Sequence, residues 1–347
     1  MTTTNSFIPS PFRDIYPEGT SFIAIGDHEV TEHFGDTNSE YETVVSGGAI
    51  TDYSHLGRLT QVGPDAVDLL HRVTTANIEN IPVGGSTRTI LLSDRGRITD
   101  VFRVVRTAEA ELLLLGSGLF KDELIKMIEF YTIIEDSTLS DISESTLQLA
   151  LAGPEAESLL GSIVPGVVEL SEGELIEDDS VRYVKATADE AEAFHVLMPA
   201  DRAVGVWERL IEAGFAPVGS QAIQRRRVDL AIPSAESDYS DRTNPLEVGL
   251  IDLVDFEKGC YVGQEVVARL DAYDKVQRTI VRVDSDGVLV SGEDVKLDTR
   301  TIGTVGSVIS TQDGIRALAL IRNEFADSGE VLMTASGSVV TISGNAE

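Results

Sequence analysis

An α+β architecture built from two similar halves and a C-terminal all-β module is the fold class predicted for this chain. Three observations predict it. Gly63-Pro64-Asp65-Ala66 opens GPDAVDLL, and 90 residues later (153 − 63) Gly153-Pro154-Glu155-Ala156 opens GPEAESLL, each after a short apolar run, RLTQV or LQLALA. Around both copies, runs with strand and helix periodicity alternate. From residue 275 onward only short β-rich runs remain, divided by Gly, Asp and Ser turns. At 347 residues the chain also exceeds the usual single-domain length of about 50–250. The expected divisions are 1–145, 146–274 and 275–347.

Residues 1–45 are mixed and polar and suggest no particular element. The stretch 65–73 follows a Gly-Pro and sets Ala66, Leu69, Leu70 and Val73 on one face, which predicts a helix. Residues 89–92 and 101–105 read as strands about a turn at Ser93-Asp94-Arg95-Gly96, and 111–115 reads as another strand. The segment 121–131 carries Leu124, Ile125, Ile128 and Tyr131 on one side and predicts an amphipathic helix. In the second copy, 192–197 predicts a strand and 202–213 a helix stopped by Gly214. Six short strands are expected in the last module, at 279–283, 287–290, 303–309, 317–321, 331–334 and 338–342, forming a small barrel or sandwich.

Fifty-eight carboxylates oppose 27 basic residues, a net charge of −31. The acids are dispersed, so they read as solvated surface. Their self-repulsion weakens the fold at low ionic strength and is screened at high salt, which suggests a salt-rich cytoplasm. The same charge argues against sequence-independent nucleic-acid binding, and Arg225-Arg226-Arg227 is too short a basic run to reverse that. No stretch approaches the roughly 18 uninterrupted apolar residues of a membrane span, and LLLLG at 112–116 is only a strand-sized run. The N-terminus lacks the basic start and apolar run of a signal peptide. The expectation is a cytoplasmic protein with no membrane partner. Cys260 is the single cysteine, which excludes an internal disulfide and any Cys-rich metal or cluster site built by this chain alone; no metal ligands are expected. Walker A, G-x-G-x-x-G, H-E-x-x-H, C-x-x-C and G-x-S-x-G patterns are absent, which argues against the chemistries they serve.

Four stretches carry chemistry. The densest is NPLEVGLIDLVDFEKGCYVGQEVVAR at 244–269, where Cys260 and Tyr261 lie between two glycines and beside Lys258, whose ammonium would favour a thiolate. Asp52-Tyr53-Ser54-His55 sets a carboxylate, a phenol, a hydroxyl and an imidazole in succession, so alternate members can face one cavity. Asp100 follows the turn at 93–96 and either caps it or accepts a hydrogen bond from a substrate amine. Asp229, among the apolar residues of RVDLAIP, needs a partner, either Arg227 or a ligand.

These residues resemble a known family. KGCYVGQE at 258–265 is similar to the signature of the YgfZ-type folate-binding proteins, which are relatives of the glycine-cleavage T-protein and include a mitochondrial iron–sulfur assembly factor. The likeness extends to DYSHLGR at 52–58, GPDA at 63–66, RVTTAN at 72–77 and NPLEVG at 244–249, and spans roughly residues 45–330.

The resemblance implies two ferredoxin-like halves and a C-terminal β-barrel, with tetrahydrofolate or a one-carbon derivative near the centre. Asp229 falls where the T-protein has a glutamate on the pterin edge, with Arg227 beside it. Lys258 falls near a T-protein arginine and would meet the folate's glutamate tail, with Tyr261 adjacent. Two readings follow. In the first, the protein supports assembly or repair of iron–sulfur proteins, its partners are client proteins, and Cys260 does thiol chemistry. In the alternative, it is an aminomethyl- or methyltransferase working with a lipoyl carrier protein, and Asp100 acts on the amine. The T-protein has a double Asp where this chain has Thr99-Asp100, so one carboxylate remains. The cysteine of the signature belongs to the YgfZ type, and Cys260 tips the sequence reading toward the first.

Overall fold

The computed structural model describes residues 7–345 except 236, 274, 275, 313, 328 and 330. An N-terminal hairpin, β1 (Ser21–Ile25) and β2 (His28–His33), leads into helix α1 (Thr37–Ser46) and strand β3 (Ala49–Asp52). The first repeated unit is β4 (Gly57–Val62), α2 (Ala66–Val73), β5 (Ser86–Leu92), β6 (Ile98–Ala108), β7 (Glu111–Gly116), α3 (Lys121–Tyr131) and β8 (Thr138–Asp141). The second is β9 (Thr146–Ala152), α4 (Ala156–Gly161), β10 (Leu175–Asp178), β11 (Val181–Lys185), β12 (Phe194–Pro199), α5 (Ala203–Glu212) and β13 (Ala216–Pro217). Helices α6 (Ser220–Asp229) and α7 (Gln264–Ala272) flank the signature segment. The tail is β14 (Arg278–Ser285), β15 (Asp294–Leu297), β16 (Arg300–Thr311), β17 (Gly314–Arg322), β18 (Val331–Thr334) and β19 (Val339–Asn345).

The duplication is visible in the strand order. The first sheet runs β5-β6-β7-β4-β8 and the second β10-β11-β12-β9-β3-β13. Numbered within each unit both read 2-3-4-1-5, with β3 inserted between the last two strands of the second sheet. Two ferredoxin-like halves and a closed six-stranded barrel, β14-β17-β16-β15-β18-β19, therefore bear out the α+β class. The halves do not divide cleanly at 145, because β3 pairs with β9 in register, Ile50 opposite Leu151, and with β13 in parallel. The expected barrel start at 275 lies outside the described residues.

Periodicity explains which faces are covered. Leu69, Leu70, Leu124 and Ile128 of α2 and α3 pack on Leu59, Phe102, Val104 and Leu114 of the first sheet. Trp207 and Leu210 of α5, with Phe12 from the N-terminal arm, pack on Leu149, Leu151 and Val196 of the second. The opposite faces meet each other: Val105, Leu113 and Leu115 contact Val184 and Leu197. Helix α5 ends before Gly214, whose φ of 109° is open to glycine at little cost. In the barrel, 287–290 does not form the expected strand. Val288 and Val290 stay exposed and the run is a turn into β15.

Candidate functional site

Where the halves face each other, β5 and β6 set Arg88 directly opposite Arg103. Like charges side by side across a ladder repel, so this pair needs anions. They come from the loop between β11 and β12. Asp189 takes Arg88, and Glu190 takes Arg103, which also reaches Ser86 Oγ at 2.8 Å and Thr187 Oγ1 at 3.1 Å. His195 Nε2 stands 2.9 Å from the other oxygen of Glu190. Burial opposes charge on Glu190, yet His195, then Arg103 and Arg88, hold its carboxyl well below the usual range. Beyond the end of β3, Tyr53 donates its hydroxyl to Glu192 of the same loop, and its ring meets that of His55 edge-on at 6.0 Å. The Tyr53 and His55 rings thus lie against each other. Burial, with His28 and Arg58 nearby, pushes His55 down to about 4, so its imidazole is neutral at pH 7. Asp52 turns inward, accepting Ser10 Oγ at 2.9 Å and the Ser54 N–H at 2.9 Å.

Asp100 is wholly buried near the start of β6. Its Oδ1 accepts the Val101 N–H at 2.9 Å and its Oδ2 the Ser117 N–H at 3.2 Å. Gly116 makes room for it, since a Cβ there would come within 2.8 Å of Oδ2. Among the described residues no cation neutralises this carboxyl, and burial pushes it up to about 7. Tyr239 is the neighbouring phenol. It is buried, packs at 6.5 Å from the Phe120 ring, and has no hydrogen bond to its hydroxyl among the described residues. Burial first, and then the charge of Asp100, push Tyr239 far above the usual phenol range, so it stays protonated.

The other five expected residues separate into two places. Lys258 is buried, and its three ammonium protons go to the carbonyls of His71, Thr74 at 2.7 Å and Ala76 at 2.7 Å, closing the C-terminal end of α2. The structure thus leaves it no free donor for a folate tail. Tyr261 packs into the same apolar cluster as Ile98, Val101 and Tyr239, with its hydroxyl unpartnered, and burial raises it to about 12. Cys260, between them, is exposed.

On α6, Arg227 and Asp229 stand two residues apart, about 200° around the helix. Arg227 is buried against the carbonyl of Ile232, Asp238 at 2.9 Å and Gln224 at 2.7 Å. Asp229 faces the barrel and takes the hydroxyl of Tyr41 and the guanidinium of Arg316. Both residues thus already hold protein partners, and Arg227 also reaches the barrel through the Ser307 hydroxyl. Arg88, Arg103, Glu190, Glu192 and Tyr239 were missed in the sequence. Their only signal was Arg88 and Arg103 inside the strand-like runs STRTILL and ITDVFRVVRTA. Among the described residues, no group of three or more His, Cys, Asp or Glu is arranged to hold a metal.

The sequence model of the GCVT N-terminal domain family matches residues 14–258, over half of the chain. The chain belongs to that family. It is 26% identical over 340 residues to an aminomethyltransferase of Listeria monocytogenes, covering 93% of this chain and 92% of that one. It is 27% identical over 323 residues to a chloroplastic protein of Arabidopsis thaliana provisionally named as a transferase, covering 89% and 73%. The aminomethyltransferase T of the glycine cleavage system from Bartonella henselae superposes with a TM-score of 0.88 over 98% of each chain at 19% identity, a shared fold. None of these likenesses distinguishes the YgfZ type.

Proposed function

We propose that this chain is a tetrahydrofolate-dependent one-carbon transferase of the aminomethyltransferase type, taking its one-carbon unit from a lipoyl carrier protein in the cytoplasm. The observation that carries the reading is Asp100, a buried carboxyl held by the N–H groups of Val101 and Ser117 and the Ser117 side chain, with no cation beside it among the described residues and its titration raised to about 7. A group poised there can take a proton at one step and return it at the next. Full-length relatives named aminomethyltransferases support it. Tetrahydrofolate, when bound, supplies the ring nitrogen that receives the one-carbon unit. Asp100 Oδ2 would hold or release the proton of the reacting amine. Tyr239, still protonated, would donate a hydrogen bond beside it. The unpartnered Tyr239 hydroxyl and the two-way hydrogen-bonding capacity of a neutral carboxyl fit a pterin, which offers both donors and acceptors.

The test is turnover. Purified protein with tetrahydrofolate and an aminomethylated lipoyl carrier should yield methylenetetrahydrofolate, ammonia and the carrier as its free dithiol. Asp100→Asn should lower the rate at least about 100-fold while tetrahydrofolate affinity by calorimetry changes less than about threefold. Binding without turnover in the wild type would reject the reading.

The exposure of Cys260 favours a second reading, a thiol-bearing accessory to iron–sulfur proteins. One thiol cannot hold a cluster, so a client would supply the remaining ligands. Loss of complementation in Cys260→Ala, with turnover intact, would support it. Unchanged complementation would dismiss it.

A further inference from the structure

We propose a second small-molecule site in the seam between residues 237–243 and the barrel, one that takes a carboxylate carried on a flat apolar body. The seam holds a cavity of about 130 Å³ that opens to solvent. Tyr239, Ile280, Val305 and Leu320 supply apolar walls, and Arg242 and Arg278 line the same space.

The charge balance singles this pocket out. Glu247 holds two guanidinium groups, Arg278 at 2.9 Å on one oxygen and Arg97 at 3.2 Å on the other. Arg278 spends its Nε on Glu247 and its Nη2 on the carbonyl of Arg242, leaving Nη1 without a partner among the described residues. The Arg242 guanidinium has no partner among them at all, since only its main chain is engaged. Two guanidinium groups thus share the buried Glu247 carboxylate and the Arg242 guanidinium stands beside them unpaired among the described residues, in a chain where acids outnumber bases 58 to 27. Asp238, which also lines the space, is turned away from the ligand. Its carboxylate is taken by Arg227 at 2.9 Å, by the Ser234 N–H at 2.9 Å and by the Ser307 N–H at 2.7 Å. Gly306 makes that turn possible, since a Cβ there would come 2.2 Å from Asp238 Oδ1. Asp241 is the one carboxylate that counts against an anion. It is exposed beside Arg242, where solvent screens it. Apolar walls exclude a fully hydrated ion, and free guanidinium donors exclude a cation. An aryl carboxylate meets both conditions, with its oxygens on Arg242 and Arg278 and its ring against Tyr239.

The site borders the folate reading at Tyr239 and is tested through Arg242, which that reading does not use. Benzoate is titrated into the full-length protein at low ionic strength, with benzylamine as the probe of equal shape and opposite charge. Benzoate should bind at least about tenfold more tightly than benzylamine. Arg242→Ala should weaken it about tenfold, the loss of one charge-assisted hydrogen bond. Thr304→Phe, on an exposed barrel position lining the space, should abolish it. Melting temperature and tetrahydrofolate affinity should stay unchanged in Arg242→Ala, whose side chain holds nothing in place. No benzoate binding up to about 10 mM, equal binding of benzylamine, or unaltered affinity in Arg242→Ala would overturn the proposal.

Discussion

Asp100 links the candidate chemistry to stability through a proton. Its folded carboxyl is raised from 3.8 to about 7 by burial. Between those values the folded chain keeps a proton that the unfolded chain has released, so stability falls as pH rises. The contribution is fully present at the acid end and gone once pH passes about 7. Subtracting the melting temperature of Asp100→Asn from that of wild type at each pH isolates this residue from the others. The difference should decline from pH 5 to pH 8, and a flat difference would show that Asp100 is not protonated in the fold. A second contrast lies two positions apart. Lys258→Met strips a donor from three buried carbonyls and should cost about 2–4 kcal/mol by denaturant titration. Cys260→Ala, at an exposed position, should cost under about 0.5 kcal/mol. The signature KGCY thus joins an anchor to a surface group; the letters suggested chemistry for both residues and not the lysine's structural work.

Among elements, the legible ones have their own periodicity. Helix α3 spans the residues expected, and α2 and α5 differ by a residue or two at their ends, because their apolar stripes face one sheet each. Strands β5 to β7 and β18 were likewise readable as apolar runs between turns. Helix α6 was not. Its sequence SQAIQRRRVD sets only Ala222, Ile223 and Val228 among polar residues, and it is held by α1 and the barrel through Tyr41–Asp229 and Arg316–Asp229. Such a helix depends on partners remote in sequence. The arginine pair of β5 and β6 has the same property, since its acids lie about a hundred residues downstream. Glu190→Gln leaves Arg103 buried without its countercharge, and should cost about 3–5 kcal/mol by urea titration. A cost below about 1 kcal/mol would mean that Asp189 and water compensate.

For the whole molecule, the −31 charge gives a prediction independent of any activity. Raising KCl from about 0.1 M to about 1 M shortens the Debye length from about 10 Å to about 3 Å. Self-repulsion among dispersed carboxylates then weakens, and the urea midpoint should rise. An unchanged or lower midpoint would show that the internal ion pairs, which salt screens less, dominate instead. The duplicated halves and the barrel were legible as a repeat and a change of texture. The insertion of β3 into the second sheet was not, because nothing in AITD names a partner so distant in the chain.

That insertion has a consequence for synthesis. Ile50 leaves the ribosome 101 residues (151 − 50) before Leu151, its ladder partner. At about 5–20 residues per second, the strand waits roughly 5–20 s with neither edge paired. Throughout that interval the nascent chain presents a short apolar ribbon open to any β-edge nearby, so its yield should depend on translation speed and on the chaperones that shield such ribbons.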